Sequence, residues 1–149
     1  MIPVFTVANA FIGISFFKKT PINAIRLQQL LYLANKYYIE NERTVLFTER
    51  FVAETVGPSL QSIDYMFPDN SIIISDFILR MDGSKPSMDS LKSKAELAQI
   101  LVKAWEFCEN KSVKDVTKLL TGNDSGWFNC VTSNRNIISE EDIIKEKIG

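Results

Sequence analysis

Residues 20–38, which read TPINAIRLQQLLYLANKYY, constrain the fold more than any other stretch of the chain. Six apolar residues recur there at helical spacing and form one stripe: Leu27, Leu30, Leu31, Ala34, Tyr37 and Tyr38. Three more widen the apolar arc: Tyr32, Leu33 and Ile39. The opposite side carries polar residues: Arg26, Gln29, Lys36 and Glu40. A helix with so wide an apolar arc is covered on more than one side, which predicts a helical domain built around it.

Capping residues predict where the first two helices begin and end. Thr20 is predicted to cap the second helix, with Pro21 at its first position, where the missing N–H costs nothing. Residues 1–17 are uncharged and show helical apolar spacing, which predicts a buried first helix ending near Lys18 and Lys19. This stretch is too short for a membrane span, and no basic residue precedes it as in a secretory signal.

After the second helix the pattern changes from helical to alternating. The residues VLFTERFVAETVGPSL predict two short strands, at about 45–48 and 50–56. Gly57 and Pro58 are predicted to force the turn that follows, because proline fixes its φ and glycine reaches angles that other residues avoid.

The rest of the chain is predicted to be helical around one loop. Residues 59–67 predict a third helix, 71–75 a candidate small strand and 76–90 a mobile loop. A long helix is predicted at 90–108 and a shorter one at 112–120. The candidate inward residues of the long helix are Leu91, Ala95, Ala98, Val102, Trp105 and Phe107.

The end of the chain supplies two further helix signals. TGNDSG predicts a tight connection, after which Trp127 and Phe128 begin a short helical turn. Ser139 is predicted to cap a last helix with three acids in its first turn, where the helix dipole favours them. The elements together predict a single domain, residues 1–149, of the mainly α (α+β) class: a compact multi-helix domain with a small β-hairpin or short sheet after the second helix.

The composition excludes several kinds of active site. The chain has no histidine, which removes the commonest general base and metal ligand and the histidine-dependent nucleophile pairs. Cys108 and Cys130 show no CxxC spacing and are expected to be small buried hydrophobes or plain thiols. A net charge of −1 gives no electrostatic footprint for nucleic acid. Residues 46–90 nevertheless carry seven acidic and three basic groups, which suits either a basic partner or an ordinary solvated surface.

Three carboxylates, Glu49, Glu54 and Asp64, are the strongest candidates for acid–base chemistry, because two neighbouring carboxylates can share a proton. A solvent-facing role is the alternative for each of them. The later aspartates do not match a calcium loop, and TGNDSG lacks the lysine of a phosphate-binding loop. No metal or cofactor is therefore predicted.

Four segments, in this order, resemble the Panacea family of SocA-like, phage-associated proteins: RLQQLLYLANKYY (26–38), LFTERFVAETVGPSL (46–60), LVKAWEFCENKSVKDVTKLLTGNDSGW (101–127) and IISEEDIIKEKI (137–148). The resemblance covers nearly the whole chain. Its most specific parts are the Leu-Gln-x-Leu-Leu-Tyr helix and the Phe-x-Ala-x-x-x-Gly-Pro segment.

The resemblance implies a cytoplasmic antitoxin that neutralises a protein toxin, encoded by the adjacent gene, through direct contact. One alternative is an adaptor that delivers the toxin to an ATP-dependent protease. The resemblance implies no metal, cofactor or catalytic residue. Neither a nucleic acid nor a membrane is predicted as a partner, given the net charge and the short apolar stretch described above. A phage-derived hydrolase that uses aspartate, glutamate and a divalent ion is a further alternative.

The predicted contact surface is the acidic and aromatic strand with its turn, together with two residues of the second helix. Its members are Arg26, Tyr32, Glu49, Phe51, Glu54, Gly57 and Pro58. The strand is expected to present an accessible edge, which a partner could extend. The alternative is that Tyr32, Gly57 and Pro58 only shape the fold.

Overall fold

The computed structural model describes residues 1–80, 82–85 and 95–148, and this part of the chain forms seven helices and one antiparallel hairpin. The helices are α1 (Val4–Phe17), α2 (Ala24–Glu42), α3 (Gln61–Met66), α4 (Ala95–Glu109), α5 (Val113–Thr121), α6 (Gly126–Thr132) and α7 (Glu140–Lys145). The strands are β1 (Val52–Glu54) and β2 (Gly57–Ser59). This architecture confirms the predicted fold class, with the hairpin placed after α2.

Helix α2 is the centre of the domain and contacts α1, α3, α4, α5, α7 and β2. Leu27, Leu30 and Leu31 are fully buried, as the wide apolar arc predicts. The predicted polar stripe is wrong for Gln29 and Lys36, which are only 4% and 3% exposed. Burial is compensated for Lys36 by Glu40 and the distant Glu146, and for the Gln29 amide N–H by the carbonyl of Val113.

Buried amide side chains tie the neighbouring segments to the helices. Gln28 donates to the carbonyl of Leu60 at 3.0 Å and accepts from its amide at 2.9 Å. Asn35 accepts from the amide of Leu46 at 2.9 Å. In α1, Asn9 both donates to and accepts from the backbone of Ile78. These amides satisfy backbone groups of segments without regular structure, which would otherwise be costly to bury.

The start of α2 differs from the prediction, whereas the end of α1 agrees with it. Helix α1 ends at Phe17, but α2 begins at Ala24 and is capped by Asn23, whose side chain accepts from the amide of Arg26 at 3.0 Å. Thr20 and Pro21 therefore precede the helix. The Thr20 hydroxyl donates to the carbonyl of Lys18, so it closes the preceding turn instead of capping α2.

The hairpin is shorter and lies later than predicted. Its register pairs Val52 with Ser59 and Glu54 with Gly57, so the turn consists of Thr55 and Val56. Gly57 and Pro58 belong to β2 and do not form the turn, which corrects the prediction. Residues 45–48 are not a strand, because their backbone is engaged by the Asn35 side chain and by the chain terminus.

Gly57 gives the first testable prediction: Gly57→Ala should lower the free energy of unfolding by about 1–2 kcal/mol. Its φ is +121°, where side chains other than glycine are strained. An added Cβ would meet Thr121 Cγ2 at 3.9 Å, an ordinary contact, so the loss comes from the backbone and not from crowding. Chemical denaturation at equilibrium measures the change.

Gly13→Ala is the matched control for this substitution. Gly13 lies inside α1, and an added Cβ would meet the Phe77 ring at 3.6 Å, again an ordinary contact. Alanine favours a helix interior, so the control should be neutral or stabilising by up to about 1 kcal/mol. Equal destabilisation at both positions would contradict the backbone explanation for Gly57.

Helix α4 buries a different face from the predicted one. The buried residues are Leu97, Ile100, Leu101, Ala104, Trp105 and Cys108, at the three- and four-residue spacing of one helix face. Of the predicted inward set, Trp105 is buried and Phe107 is half-buried, whereas Ala95, Ala98 and Val102 are exposed. Leu91 and the predicted start at Ser90 lie outside the described residues.

The remaining element predictions mostly agree with the structure. Helices α5 and α7 are capped by Ser112 and Ser139, as predicted for the last helix, and α6 begins at Gly126. Residues 71–75 do not form a strand, but they make one antiparallel bridge, between Ile73 and Asn23. Within the predicted 76–90 loop, residues 76–80 and 82–85 contain no helix or strand, and the others lie outside the described residues.

Candidate protein-binding surface

The seven predicted contact residues differ widely in exposure. Four of them are buried: Tyr32, Phe51, Gly57 and Pro58. Arg26 and Glu49 are half-buried, and Glu54 is exposed. Tyr32 packs edge-to-face on Phe51 with ring centroids 5.1 Å apart, so these two aromatics serve the core in this conformation. Contact of the seven residues with a partner stays a prediction, and Glu54 is the member that presents its side chain freely.

The predicted strand edge is not free. One edge of β1 pairs with β2, and the other is occupied by residues 136–138. There the amide of Ala53 donates to Asn136 at 2.8 Å, and the amide of Ile138 donates to Phe51 at 2.9 Å. The prediction of an accessible edge at β1 is therefore wrong, because a segment more than 80 residues later along the chain covers it.

The candidate acids have structural hydrogen bonds. Glu49 accepts from both the amide and the hydroxyl of Ser62, in the first turn of α3. Burial raises the pKa of Asp64, the hydrogen bond from Gln28 opposes this, and the charges of Glu54 and Glu49 raise it further. Glu49 and Asp64 are thus already hydrogen-bonded to groups that shape the fold. In the part of the chain that the structure describes, no group of three or more His, Cys, Asp or Glu side chains could hold a metal ion.

Arg26 lies apart from the hairpin residues and belongs to a different contact. Its Nη2 donates to the carbonyl of Lys111, just beyond α4, while its Nη1 is buried without a hydrogen bond. Arg26 also lines a small pocket of about 100 Å³ with Trp105 and Cys108. Among the described residues, no hydrogen bond or ion pair joins Arg26 to Glu54.

A buried ionic cluster joins the end of the chain to α2, and the sequence patterns did not indicate it. Glu146 Oε2 accepts from the Tyr32 hydroxyl at 2.9 Å and from the Gly126 amide at 2.7 Å. Its Oε1 lies 3.5 Å from Lys36 Nζ. Burial raises the pKa of Glu146, and burial together with the Glu146 charge raises the pKa of Tyr32. This cluster holds residues after α7 against the central helix, so Tyr32 has a structural role.

A group of exposed apolar residues surrounds a cleft elsewhere, between the end of α3 and the extended segment that follows it. The cleft has a volume of about 420 Å³ and is lined by residues 66–69 and 72–79. Three of the lining residues are apolar and well exposed: Ile72 at 63%, Ile73 at 51% and Leu79 at 47%. Tyr65, next to the lining residue Met66, is 85% exposed. Clustered apolar exposure of this kind marks interaction surfaces more often than isolated exposed residues do.

The charged residues that line this cleft are acidic, although Lys85 Nζ lies 3.9 Å from the ring centroid of the lining residue Phe77. Asp69 and Asp76 line the cleft, and its described lining contains no lysine or arginine. Asp69 keeps its charge readily, because hydrogen bonds from Ser71 lower its pKa. The lining of the cleft is thus apolar and acidic, with Lys85 at the Phe77 ring as a neighbouring cation. The charge count of residues 46–90 indicates that this region of the chain is acidic. No local sequence pattern indicates which apolar residues of the region remain exposed.

Comparisons with protein-family models, with curated proteins and with solved structures find no match for this chain. Among the helices that the structure describes, none is long and apolar enough to cross a membrane.

Proposed function

We propose that this chain is a cytoplasmic antitoxin that neutralises a protein toxin by binding it directly. The observation that carries the proposal is the acidic cleft whose apolar side chains Ile72, Ile73 and Leu79 are exposed to solvent. Such a surface suits a polypeptide partner better than a small substrate, since its apolar groups are spread over an open face. The resemblance of the α2 and hairpin segments to the Panacea family supports the same function.

Neutralisation would follow from covering the toxin's active surface. A stable complex of this kind buries about 1,200–2,000 Å² in total, and a few aromatic or arginine anchors dominate its energy. Tyr65, on α3 beside the cleft, is the exposed aromatic best placed to act as such an anchor. Glu54 remains the predicted contact from the hairpin.

Co-expression with the product of the adjacent reading frame tests the proposal. The two proteins are expected to co-elute in size-exclusion chromatography, and the chain should restore growth of cells that the partner alone arrests. Measuring the amount of partner by immunoblot, with and without the host ATP-dependent proteases, separates blocking from delivery: blocking leaves the partner abundant in the complex. Failure both to co-elute and to restore growth would overturn the antitoxin function.

A further inference from the structure

An open backbone edge lies beside the acidic cleft, in the segment that follows α3. Ile73 forms an antiparallel bridge with Asn23, and the amide of Ile74 donates to the carbonyl of Ile22 at 2.9 Å. These contacts occupy one edge of the segment. Because successive amides of an extended chain point to opposite edges, those of Ile73 and Ser75 face away from the Ile22 contact.

The amides of Ile73 and Ser75 have no hydrogen-bond partner among the residues that the structure describes. In contrast, Ile78 donates to Asn9, and Phe77 donates to the Asp76 side chain. An exposed row of unpaired donors and acceptors with apolar side chains beside it is a template for adding a strand. The hairpin offers no such template at β1, where both edges are paired.

Asp69 and Asp76, the two charged residues that line the cleft, favour one kind of strand at this edge. Antiparallel pairing of two copies of the chain about Ile73 would place Asp76 of one copy opposite Asn70 and next to Asp69 of the other. This arrangement occurs twice in a homodimer, and at both places the aspartates of the two copies would repel each other. A strand flanked by lysine or arginine would instead be attracted by Asp69 and Asp76.

We propose that residues 73–75 accept an extended segment of the partner as an added antiparallel strand, a segment with alternating apolar residues and basic flanks. The proposal rests on the antitoxin function for the partner's identity, but the edge can be tested without it. The partner strand would pair with the free amides and carbonyls of Ile73 and Ser75, and its apolar side chains would enter the cleft beside Ile72 and Leu79.

Ser75→Pro is the sharpest variant, because it removes an amide that makes no bond within the described chain. Ser75→Ala is the matched control, since it keeps the amide. Loss of one such hydrogen bond is expected to weaken binding by about ten-fold or more. Ile73→Asp should weaken binding at least as much, and Ile144→Asp, at another exposed isoleucine on α7, should not. Thermal melting shows which variants fold. If Ser75→Pro does not fold, the binding of Ile73→Asp tests the proposal.

Two probes separate this inference from the proposed function. One is the co-expressed product of the adjacent reading frame. The other is a fluorescein-labelled peptide of alternating valine and threonine with two lysines at each end, measured by anisotropy. Its counterpart with glutamates in place of the lysines should bind more weakly. If the peptide binds and the adjacent product does not, the edge is supported and the antitoxin function fails.

Hydrogen exchange identifies the mode of binding. The amides of Ile73 and Ser75 should exchange rapidly in the free chain and slowly in either complex, while that of Ile74 is protected in both states. The strand-addition proposal is overturned if a probe binds without slowing hydrogen exchange at the amides of Ile73 and Ser75, and if it binds the folded variants as tightly as it binds the wild type. It is equally overturned if neither probe binds, or if sedimentation shows a homodimer that already protects these amides.

Discussion

Replacing Glu146 with alanine is expected to lower the free energy of unfolding by about 3–4 kcal/mol. The carboxylate is fully buried and receives hydrogen bonds from Tyr32 and Gly126. Its removal leaves those donors unsatisfied and deprives Lys36, whose side chain is 4% exposed, of its buried counter-charge. Lys36 keeps a contact of 2.9 Å with Glu40, which limits the loss. Urea denaturation followed by circular dichroism measures the change.

Two further variants separate the charge of Glu146 from its hydrogen bonds. Glu146→Gln keeps an acceptor for Tyr32 and Gly126 but removes the charge, so it should cost less than alanine. The double variant Lys36→Met with Glu146→Leu removes both charges and should recover much of the loss, since an apolar pair often replaces a buried ion pair at little cost. If the double variant is as unstable as Glu146→Ala, the loss of stability arises mainly from packing and not from the uncompensated charge of Lys36.

The second large effect is expected at Asp142, which organises the start of α7. Its carboxylate accepts two hydrogen bonds from Arg135, at 2.7 and 2.8 Å, and one each from the Asn129 side chain and the Ser139 amide. The residue is only 2% exposed. Asp142→Asn should lower the free energy of unfolding near pH 7 by about 2–3 kcal/mol. The reason is that the side-chain NH2 group of asparagine would face the N–H donors that the carboxylate now accepts.

The contribution of Asp142 should also depend on pH. The hydrogen bonds from Arg135 hold the pKa of Asp142 well below its usual range, against the opposing effect of burial. A carboxyl with a lowered pKa in the folded state stabilises fully above the pKa of the unfolded state, about 4. This stability is lost as the pH falls below that value. The difference between the wild type and Asp142→Asn should therefore shrink between pH 5 and pH 2.

Glu141→Gln is the control for Asp142, because Glu141 is exposed and forms an ion pair with the exposed Lys145. Exposed pairs contribute little, so no measurable change in stability is expected. If the difference in free energy of unfolding between the wild type and Asp142→Asn stays constant down to pH 2, the stability that Asp142 contributes does not arise from the ionised carboxylate. Denaturation curves at several pH values, at one ionic strength, distinguish these outcomes.

The effects at Glu146 and Asp142 also bear on where a partner binds. Both acids, with Tyr32 and Phe51, hold the C-terminal residues and the hairpin against α2. A substitution among them would reduce neutralisation by unfolding the chain as well as by removing a contact. Variants at Ile73 and Ser75, at an exposed edge, avoid this ambiguity.

Local patterns predicted most of the helices, but not the bounds of the hairpin or which segments pack beside each element. The apolar spacing in α1 and α2 and the serine cap of α7 predicted these helices, because period and capping depend on residues only a few positions apart. The predicted start of α2 was wrong because the Thr20 hydroxyl bonds to the carbonyl of Lys18, whereas Asn23, which the sequence analysis did not consider as a cap, accepts from the amide of Arg26.

The sequence by itself determined that this chain has a helical core around α2, a short hairpin after it and no histidine chemistry. Only the tertiary structure decided that Lys36 is buried against Glu146 and that residues 136–138 close the edge of β1. It also decided that the amides of Ile73 and Ser75 have no partner among residues 1–80, 82–85 and 95–148. The reason is physical: helical period and capping are local, whereas burial of a charge and pairing of an edge depend on groups that are distant in the chain and close in space.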